Sequence, residues 1–431
     1  MVMDRAAGVV EVTGLRASRV RYAVLALVCS LSLVSYLDRV GISGGAPFIV
    51  SDLGLTPVQM GFVFSAFTLA YASFEIPSGW LGDMIGPRKV ITRIVLWWSA
   101  FTTLTGLVHH FATLLTVRFL FGAGEAGTYP NATKVLSRWM PTVERGFGQG
   151  MVWMSGRLGG AFAPALVVFM IARMGWRPTF WIFGVVGVVW AAFFWCWFRD
   201  RPQEKPKVNE AELRIIQGGR MGPTVPSSPS DSRLRAPWSR LARSGNLWAI
   251  CWMYFCMAYG WYFYITWLPT YLKTRGVTMA YGGMPLFFGA IGCGLGGLLT
   301  DYVVKKTGTL KSRRYIGFAG FCLGALSMLA SAWVADAMKA VVIISLASFF
   351  GDLTMGSCWA VCQDVGHELS GTVSGAMNCW GNLGGFVSPI VTGFVVQRFG
   401  NWNLPIVISG AIFLVGALLW LRIDPTKSVL E

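Results

Sequence analysis

The sequence predicts an all-α polytopic membrane protein, with twelve transmembrane helices arranged as two pseudo-symmetric six-helix bundles. Three observations predict this fold class. Of the 431 residues 54% are hydrophobic and only 13% are charged, the apolar residues gather into long runs, and one polar segment separates these runs into two sets of six. So low a charged fraction excludes an ordinary soluble protein with a single buried core.

The apolar runs are each long enough to cross a bilayer, because a transmembrane helix needs about 20 mostly apolar residues. The first run is interpreted as a helix and not as a signal peptide, since no small-residue cleavage pattern follows it. The twelve predicted spans, numbered 1 to 12, are residues 20–45, 57–82, 90–109, 111–136, 146–172, 178–198, 246–272, 279–304, 314–334, 339–363, 371–397 and 402–422.

The polar segment predicts the domain organisation. Asn209 followed three residues later by Glu212 is typical of a helix start, so the segment is expected to contain a short interfacial helix. The predicted parts are a cytoplasmic tail at 1–19, a bundle at 20–198, a cytoplasmic linker at 199–245, a second bundle at 246–422 and a cytoplasmic tail at 423–431.

The net charge of +16 is distributed as in a membrane protein, because the basic residues lie before span 1 and in alternate short loops. By the positive-inside rule, both termini are predicted to be cytoplasmic, in a multi-pass protein of the cell inner membrane whose excess charge meets anionic lipid. This distribution excludes a nucleic-acid partner. The basic residues concerned are Arg5, Arg16, Arg19, Arg21, Arg88, Lys89, Lys134, Arg138, Arg145, Lys305, Lys306, Lys311, Arg313 and Arg314.

Metal, cofactor and enzyme chemistry are not expected. The nine cysteines are scattered through apolar runs without a C-x-x-C or Cys/His cluster. Of the three histidines, His109 and His110 are placed at the outer end of span 3 and His367 in a cytoplasmic loop. We find no nucleophile and base pair in the sequence, so no catalytic residue, metal or cofactor is predicted.

The two sets of spans are related in sequence. The pattern G-x-L-G-G-x-x-x-P occurs at 156–164 in span 5 and again at 381–389 in span 11, displaced by 225 residues. A second echo, G-x-x-x-D, follows span 2 at 79–83 and span 8 at 297–301. Two parallel repeats of six helices are typical of transporters that rock two bundles around a site at the membrane midplane. Tight packing alone is the alternative interpretation of the small residues.

Charged residues inside the predicted spans are candidates for function, because a charge at the bilayer centre costs ~2.5 to 3.5 kcal/mol. Asp38 and Arg39 are neighbours in span 1, yet consecutive helical residues do not face one another. Span 4 offers Arg118 and Glu125 about two turns apart on one face. We therefore predict a crossed arrangement, Asp38 beside Arg118 and Arg39 beside Glu125. A purely structural network is the alternative.

These ion pairs can exchange partners when a carboxylate is protonated. Asp38 and Glu125 are therefore the predicted proton-coupling residues. Protonated Glu125 would release Arg39 for a substrate carboxylate, which arginine binds in bidentate fashion. The role of Asp352 is ambiguous, and an auxiliary proton site is its candidate role. Asp364 is expected to cap a helix, and Glu75 and Arg93 are expected to pair with loop charges. The predicted substrate-binding residues are Arg39, Arg118, Arg157, Tyr36, Tyr71, Trp359, Asn378 and Asn382.

The loop GWLGDMIGPRKV at 79–90 resembles a signature of the major facilitator superfamily. The resemblance implies a cytoplasmic latch that holds an outward-open state, formed by Gly79, Asp83 and Arg88. Met84 stands where the superfamily commonly has a basic residue.

Three stretches, SYLDR, RFLFGAGEAGTYPNATKVLSRWMP and SGAMNCWGNLGG, look like the anion:cation symporter family, which includes permeases for hexuronate, glucarate and galactonate and, in animals, sialin and vesicular glutamate transporters. The resemblance implies that Asp38 and Glu125 are the coupling acids, and that Tyr71, Trp359 and Asn378 contact the substrate. Arg157 and Gly356 depart from the neutral residue and the serine expected in galactonate-type members.

The predicted function is therefore proton-driven import of a small organic anion, such as an aldonate, aldarate or uronate, by a monomer in the lipid bilayer. One alternative is an exporter or exchanger of aromatic or amphipathic compounds, suggested by the many Trp and Met residues. An alternative of another class is a membrane sensor that binds without transporting.

Overall fold

The computed structural model describes residues 16–218, 237–276, 281 and 283–431, and these ranges are helical without a β-strand. Parts of the predicted N-terminal tail, linker and span 8 lie outside them. The α-helices are Val20–Leu53 (α1), Pro57–Ile85 (α2), Pro87–Thr105 (α3), Phe111–Glu125 (α4), Thr128–Trp139 (α5), Arg145–Met174 (α6), Trp176–Trp197 (α7), Glu210–Gly218 (α8), Trp238–Arg243 (α9), Gly245–Thr266 (α10), Leu268–Thr274 (α11), Met284–Thr307 (α12), Ser312–Ala332 (α13), Ala337–Leu353 (α14), Met355–Gly366 (α15), Ser370–Phe399 (α16) and Asn403–Arg422 (α17).

Each predicted span coincides with helix, and three of them are broken. Span 4 is α4 and α5, span 7 is α10 and α11, and span 10 is α14 and α15. Gly127 immediately precedes α5 at a φ of 87°, a left-handed conformation that favours glycine. Eight segments of the described ranges are long and apolar enough to cross a membrane by themselves.

The sequence repeat is a repeat of structure. Helices α6 and α16 each have 30 residues, begin 225 residues apart, and contain a proline, Pro164 or Pro389. Within the first half of the chain α6 packs on α1, and within the second half α16 packs on α10. The two halves meet where α6 packs on α12 and where α16 packs on α2.

Glycine permits these contacts between the halves. A Cβ atom on Gly79 of α2 would lie 2.3 Å from the carbonyl oxygen of Gly371 on α16, and one on Gly297 of α12 would lie 2.6 Å from that of Gly146 on α6. A Cβ on Gly356 of α15 would lie 2.8 Å from the same Gly146 oxygen. A serine at position 356 would therefore push the helices apart, which explains why this position departs from the family pattern.

Helix α8 lies in the polar segment, where a short helix was predicted, and it supports the start of α1. The Asn209 side chain accepts a hydrogen bond from the Glu212 amide at 2.9 Å, which begins the helix. The fully buried Glu212 carboxylate accepts from the Val20 and Arg21 amides, each at 3.0 Å. A carboxylate at a helix N-terminus satisfies free amides and opposes the positive end of the helix dipole.

We call the membrane face that carries the start of α1, the α2–α3 loop, α8 and the start of α6 the basic side, because the predicted basic loops lie there. The other face is the opposite side. The chain end also lies on the basic side, where the Val429 amide donates to the carbonyl oxygen of Val365 at 3.0 Å.

Close contact at Gly79 generates a first prediction. Gly79→Val should separate α2 from α16 and destabilise the protein by about 1–3 kcal/mol, because the added methyl groups have no space. Hydrogen–deuterium exchange should be faster at the first turn of α16. Gly61→Val is the matched control, since Gly61 lies on the same helix with nothing within 4 Å of its Cβ position. Equal exchange in the two variants would contradict the contact.

Candidate functional site

The predicted contact between Arg39 and Glu125 is present. The Nη2 atom of Arg39 lies 3.3 Å from Oε1 of Glu125, whose side chain is fully buried at the end of α4. Ser35, one turn earlier on α1, donates its hydroxyl to the same oxygen at 2.5 Å. The second carboxylate oxygen has no hydrogen-bond partner among the described residues. Glu125 is thus held by one cation and one hydroxyl and keeps one free oxygen.

The other half of the crossed arrangement is present only as proximity, because Asp38 and Arg118 are electrostatic neighbours without an ion pair among the described residues. Asp38 is buried, and within the described ranges neither of its oxygens has a hydrogen bond or an ion pair. The buried Arg118 guanidinium lies 4.3 Å from the ring centre of Phe121 and 5.2 Å from that of Phe67. Arg118 packs on aromatic faces, so it neighbours Asp38 electrostatically without contacting it.

Aromatic rings surround the Arg39 guanidinium. Tyr71, Phe67 and Tyr36 have ring centres 4.4, 5.3 and 5.5 Å from it. The Arg39 side chain keeps 23% exposure, whereas Glu125 and Arg118 are buried. Arg39 is therefore the least buried cation of this cluster, although its Nε and Nη2 atoms are buried, and Tyr36 and Tyr71 lie beside it.

Arg157 is not a free cation in this structure, contrary to the expectation. Its Nη2 and Nε atoms donate to the two oxygens of Asp352 at 2.9 and 3.1 Å, and both side chains are almost fully buried. Tyr36 accepts from Nη1 at 3.3 Å, and the ring centre of Trp261 lies 4.4 Å away. Asp352 is on α14, so this bidentate ion pair joins the two halves. The structure gives Asp352 a contact with Arg157, and its role as an auxiliary proton site stays a prediction.

Glu75 contacts the predicted amide pair instead of loop charges, which corrects the sequence interpretation. It is fully buried ten residues before the end of α2, about 15 Å from that end at 1.5 Å per residue. Its Oε1 accepts from Nδ2 of Asn378 at 2.7 Å, and Asn382 donates to the Asn378 carbonyl oxygen at 2.9 Å. Arg93 reaches the Ser78 hydroxyl at 3.4 Å.

Trp359 belongs to an aromatic cluster between the halves. It is fully buried on α15, and its indole nitrogen donates to the Tyr254 hydroxyl at 3.2 Å. Its ring centre lies 5.1 Å from Trp153 and 6.1 Å from Tyr129, which themselves stack at 4.4 Å. In this conformation Trp359 closes the contact between the halves and has no exposed surface for a substrate.

On the basic side, Asp83 holds the N-terminus of α16. It accepts from the amides of Gly371 and Thr372 at 3.1 and 2.7 Å. The cation beside it is Lys134, at 3.1 Å, and not the predicted Arg88. Arg88 begins α3 on the far side of the loop, where its amide donates to Asp200 at 2.9 Å.

Asp301 makes the equivalent contact in the repeat. It accepts from the amides of Gly146 and Phe147 at the start of α6, at 3.0 and 2.6 Å. Nearby, Asp364 forms ion pairs with Arg145 and Arg313 at 2.8 and 2.9 Å, so it is not the simple helix cap that was expected. Sequence reasoning missed Asp301, Arg145 and Arg313 as cross-half residues, although the G-x-x-x-D echo marked the first of them.

Comparison with known proteins identifies the family. The sequence profile of the Major Facilitator Superfamily matches residues 28–389, and the chain belongs to this superfamily of membrane transporters. A Cupriavidus necator protein named "probable sulfoacetate transporter SauU" is 38% identical over 95% of both chains. A Bacillus subtilis protein named "probable galactarate/D-glucarate transporter GudP" is 31% identical over 95% of this chain and 93% of that one. The predicted superfamily is confirmed.

Solved structures confirm the fold. The proton:xylose symporter XylE superimposes with a TM-score of 0.72 at 15% identity, over 96% of this chain and 99% of that one. The transporter FucP in the outward conformation gives 0.70 at 16% identity, over 92% and 98%. These similarities establish a multi-pass membrane protein with the twelve-helix architecture.

The ion pair between the halves generates a second prediction. Asp352→Asn should destabilise the protein by about 3–5 kcal/mol, because it leaves the buried Arg157 charge without a counter-charge. The double variant Arg157→Met with Asp352→Leu should recover most of that loss, since it removes both charges. Thermal unfolding of the purified variants measures the difference. A double variant as unstable as the single one would contradict the pairing.

Proposed function

We propose that the protein imports a small organic anion together with protons across the cytoplasmic membrane, by alternating access. The basic side then faces the cytoplasm with both termini, in agreement with the positive-inside rule. In this proposal residues 20–198 and 246–422 are the two rocking bundles, 199–245 is the linker, and a monomer is the transporting unit.

One observation carries the proposal: a buried acid and base pair, Arg39 and Glu125, lies beside a buried acid and a buried base, Asp38 and Arg118, which have no ion-pair partner among the residues that the structure describes. A charge at membrane depth is costly unless it is compensated. Protonation of Glu125 removes the counter-charge of Arg39, and an incoming anion replaces it. Proton and anion binding therefore favour each other, which is the requirement for symport.

The conformational step separates the halves on the basic side. Asp83 and Asp301 would release the amides of α16 and α6, and the ion pairs of Asp364 would break. With Gly79 and Asp83, Lys134 replaces Arg88 in the proposed latch, because it is the cation in contact with Asp83. Once the basic side opens, the proton leaves to the more alkaline cytoplasm and the anion follows, because Glu125 reclaims Arg39.

Sugar acids are the first substrate class that we propose. Arginine binds carboxylates in bidentate geometry, and Arg39 and Arg118 supply two guanidiniums. Asn378, Asn382 and Tyr71 are the groups suited to sugar hydroxyls, with Arg157 as a cation that a substrate reaches only by displacing Asp352.

A short anion with few hydroxyls is the second candidate. Asn378, Asn382 and Trp359 each donate one hydrogen bond to a protein group in this conformation, which leaves fewer partners for a polyol chain. The relative named as a probable sulfoacetate transporter is also the more similar of the two compared here, at 38% identity.

Uptake into proteoliposomes tests the function and separates the substrate classes. Under an imposed inward pH gradient, we expect accumulation of radiolabelled glucarate, galactonate or glucuronate if sugar acids are transported, and of sulfoacetate if the short anion is. An exporter of aromatic compounds would accumulate none of them, and a sensor would bind without uptake. Either result would overturn the proposal.

The coupling role of Glu125 has its own test. Glu125→Gln mimics the protonated acid, so uptake driven by a pH gradient should fall at least about tenfold, the effect of ~1.4 kcal/mol on a rate, while exchange of internal for external anion continues. Glu144→Gln is the matched control, because Glu144 lies at the basic surface beside Arg21. Proton-driven uptake equal to that of the unsubstituted protein would contradict the role.

A further inference from the structure

Glu75 is a buried acid to which the transport cycle above gives no task. Its side chain is fully buried between α2 and α16 at about the middle of the membrane. One carboxylate oxygen accepts from the Asn378 amide at 2.7 Å. The other has no hydrogen-bond partner, and Glu75 forms no ion pair, in the part of the chain that the structure describes.

The charged and titratable neighbours of Glu75 offset a negative charge on it only in part, through the Tyr71 hydroxyl and the Arg39 charge. They are Arg39 from α1, Glu125 from α4, Tyr71 on the same helix and Cys379 on α16. Arg39 is the cation among them, and its contact is with Glu125. Glu125 and Glu75 are two acids around a single guanidinium, so at most one of them has that counter-charge.

The neutral acid fits this environment better than the carboxylate. An ionised carboxylate with an unsatisfied oxygen away from water is costly. A carboxylic acid keeps the Asn378 hydrogen bond on its carbonyl oxygen and carries the proton on the other oxygen. The contact with Asn378 exists only while α2 and α16 are together, so the environment of the acid changes when the halves separate.

We propose that Glu75 is a further proton-binding site of the transport cycle, besides the proton-coupling acids Asp38 and Glu125. It holds a proton while the halves meet on the basic side, and it releases the proton to the cytoplasm when α2 leaves α16. One O–H bond forms from a proton of the outer solution and the same bond breaks on the inner side. This inference rests on the proposed symport and adds one proton to each cycle.

The added proton has a measurable consequence, because it adds one positive charge to the transported set. A membrane potential of 100 mV, inside negative, changes the accumulation ratio about 50-fold for each added charge. Two protons with monovalent galactonate carry net positive charge, whereas two protons with divalent sulfoacetate carry none. For either anion, removal of one proton shifts the potential dependence by one charge.

The experiment measures the proton-to-anion ratio in proteoliposomes with clamped pH gradient and potential, using radiolabelled galactonate and sulfoacetate in turn. Glu75→Gln should lower the ratio by one and, at 100 mV with equal pH on the two sides, reduce accumulation about 50-fold. Glu75→Asp should keep the ratio of the unsubstituted protein, because it keeps a titratable acid. Glu212→Gln makes the same chemical change in a buried acid of the linker and should have no effect on the ratio.

An unchanged ratio in Glu75→Gln would overturn the inference while leaving symport intact. If the unsubstituted protein transports neither anion, the proposed function fails. Infrared difference spectroscopy then still tests whether Glu75 is protonated. Asn378→Ala should then shift the carbonyl band of a protonated carboxylic acid relative to the unsubstituted protein, because it removes the hydrogen bond to that carbonyl. Absence of such a shift would overturn the inference, also where Glu75→Gln cannot be purified.

Discussion

The cost of an uncompensated charge at membrane depth governs the centre of this molecule. The charges of Arg157 and Asp352 compensate each other completely, through two hydrogen bonds between the halves. The charges of Arg39 and Glu125 compensate each other in part, because they make one contact and one oxygen of Glu125 stays free. Asp38 and Arg118 are buried without an ion pair in the described ranges. This gradation from full to absent pairing separates a structural connection between the halves from groups that can exchange partners.

The two repeats use one device to hold the basic side closed. In each repeat, a carboxylate that follows a close glycine contact accepts hydrogen bonds from two amides at the start of a helix of the other half. Asp83 accepts from amides of α16, and Asp301 accepts from amides of α6. Helix N-terminal amides have no partner within their own helix, so a carboxylate satisfies them well. The aromatic cluster around Trp359 lies between this layer and the buried charges. The conformation is therefore closed toward the basic side at two levels.

Several side chains that suit a polar ligand are occupied by protein partners in this conformation. Asn378 is bound to Glu75, Trp359 to Tyr254, and Arg157 to Asp352. Each of these contacts joins helices that a rocking motion would displace, except the one between Trp359 and Tyr254, which lies within the second half. A ligand and the closed interface therefore compete for the same donors, which links substrate recognition to the position of the halves.

The sequence by itself determined the helical class, the span positions, the repeat and the Arg39–Glu125 contact, because these follow from apolar run length and from helical periodicity. It also identified the buried charges, since any charge in such a run is conspicuous. Tertiary structure alone decided their partners. Asp352 neutralises Arg157 and Asn378 reaches Glu75, because each pair is far apart in sequence and its geometry is set by how two bundles pack. Lys134 takes the place predicted for Arg88 because of how α5 packs on α2 within the first bundle. Periodicity fixes the face of one helix, and it contains no information about which helix of the other half that face meets.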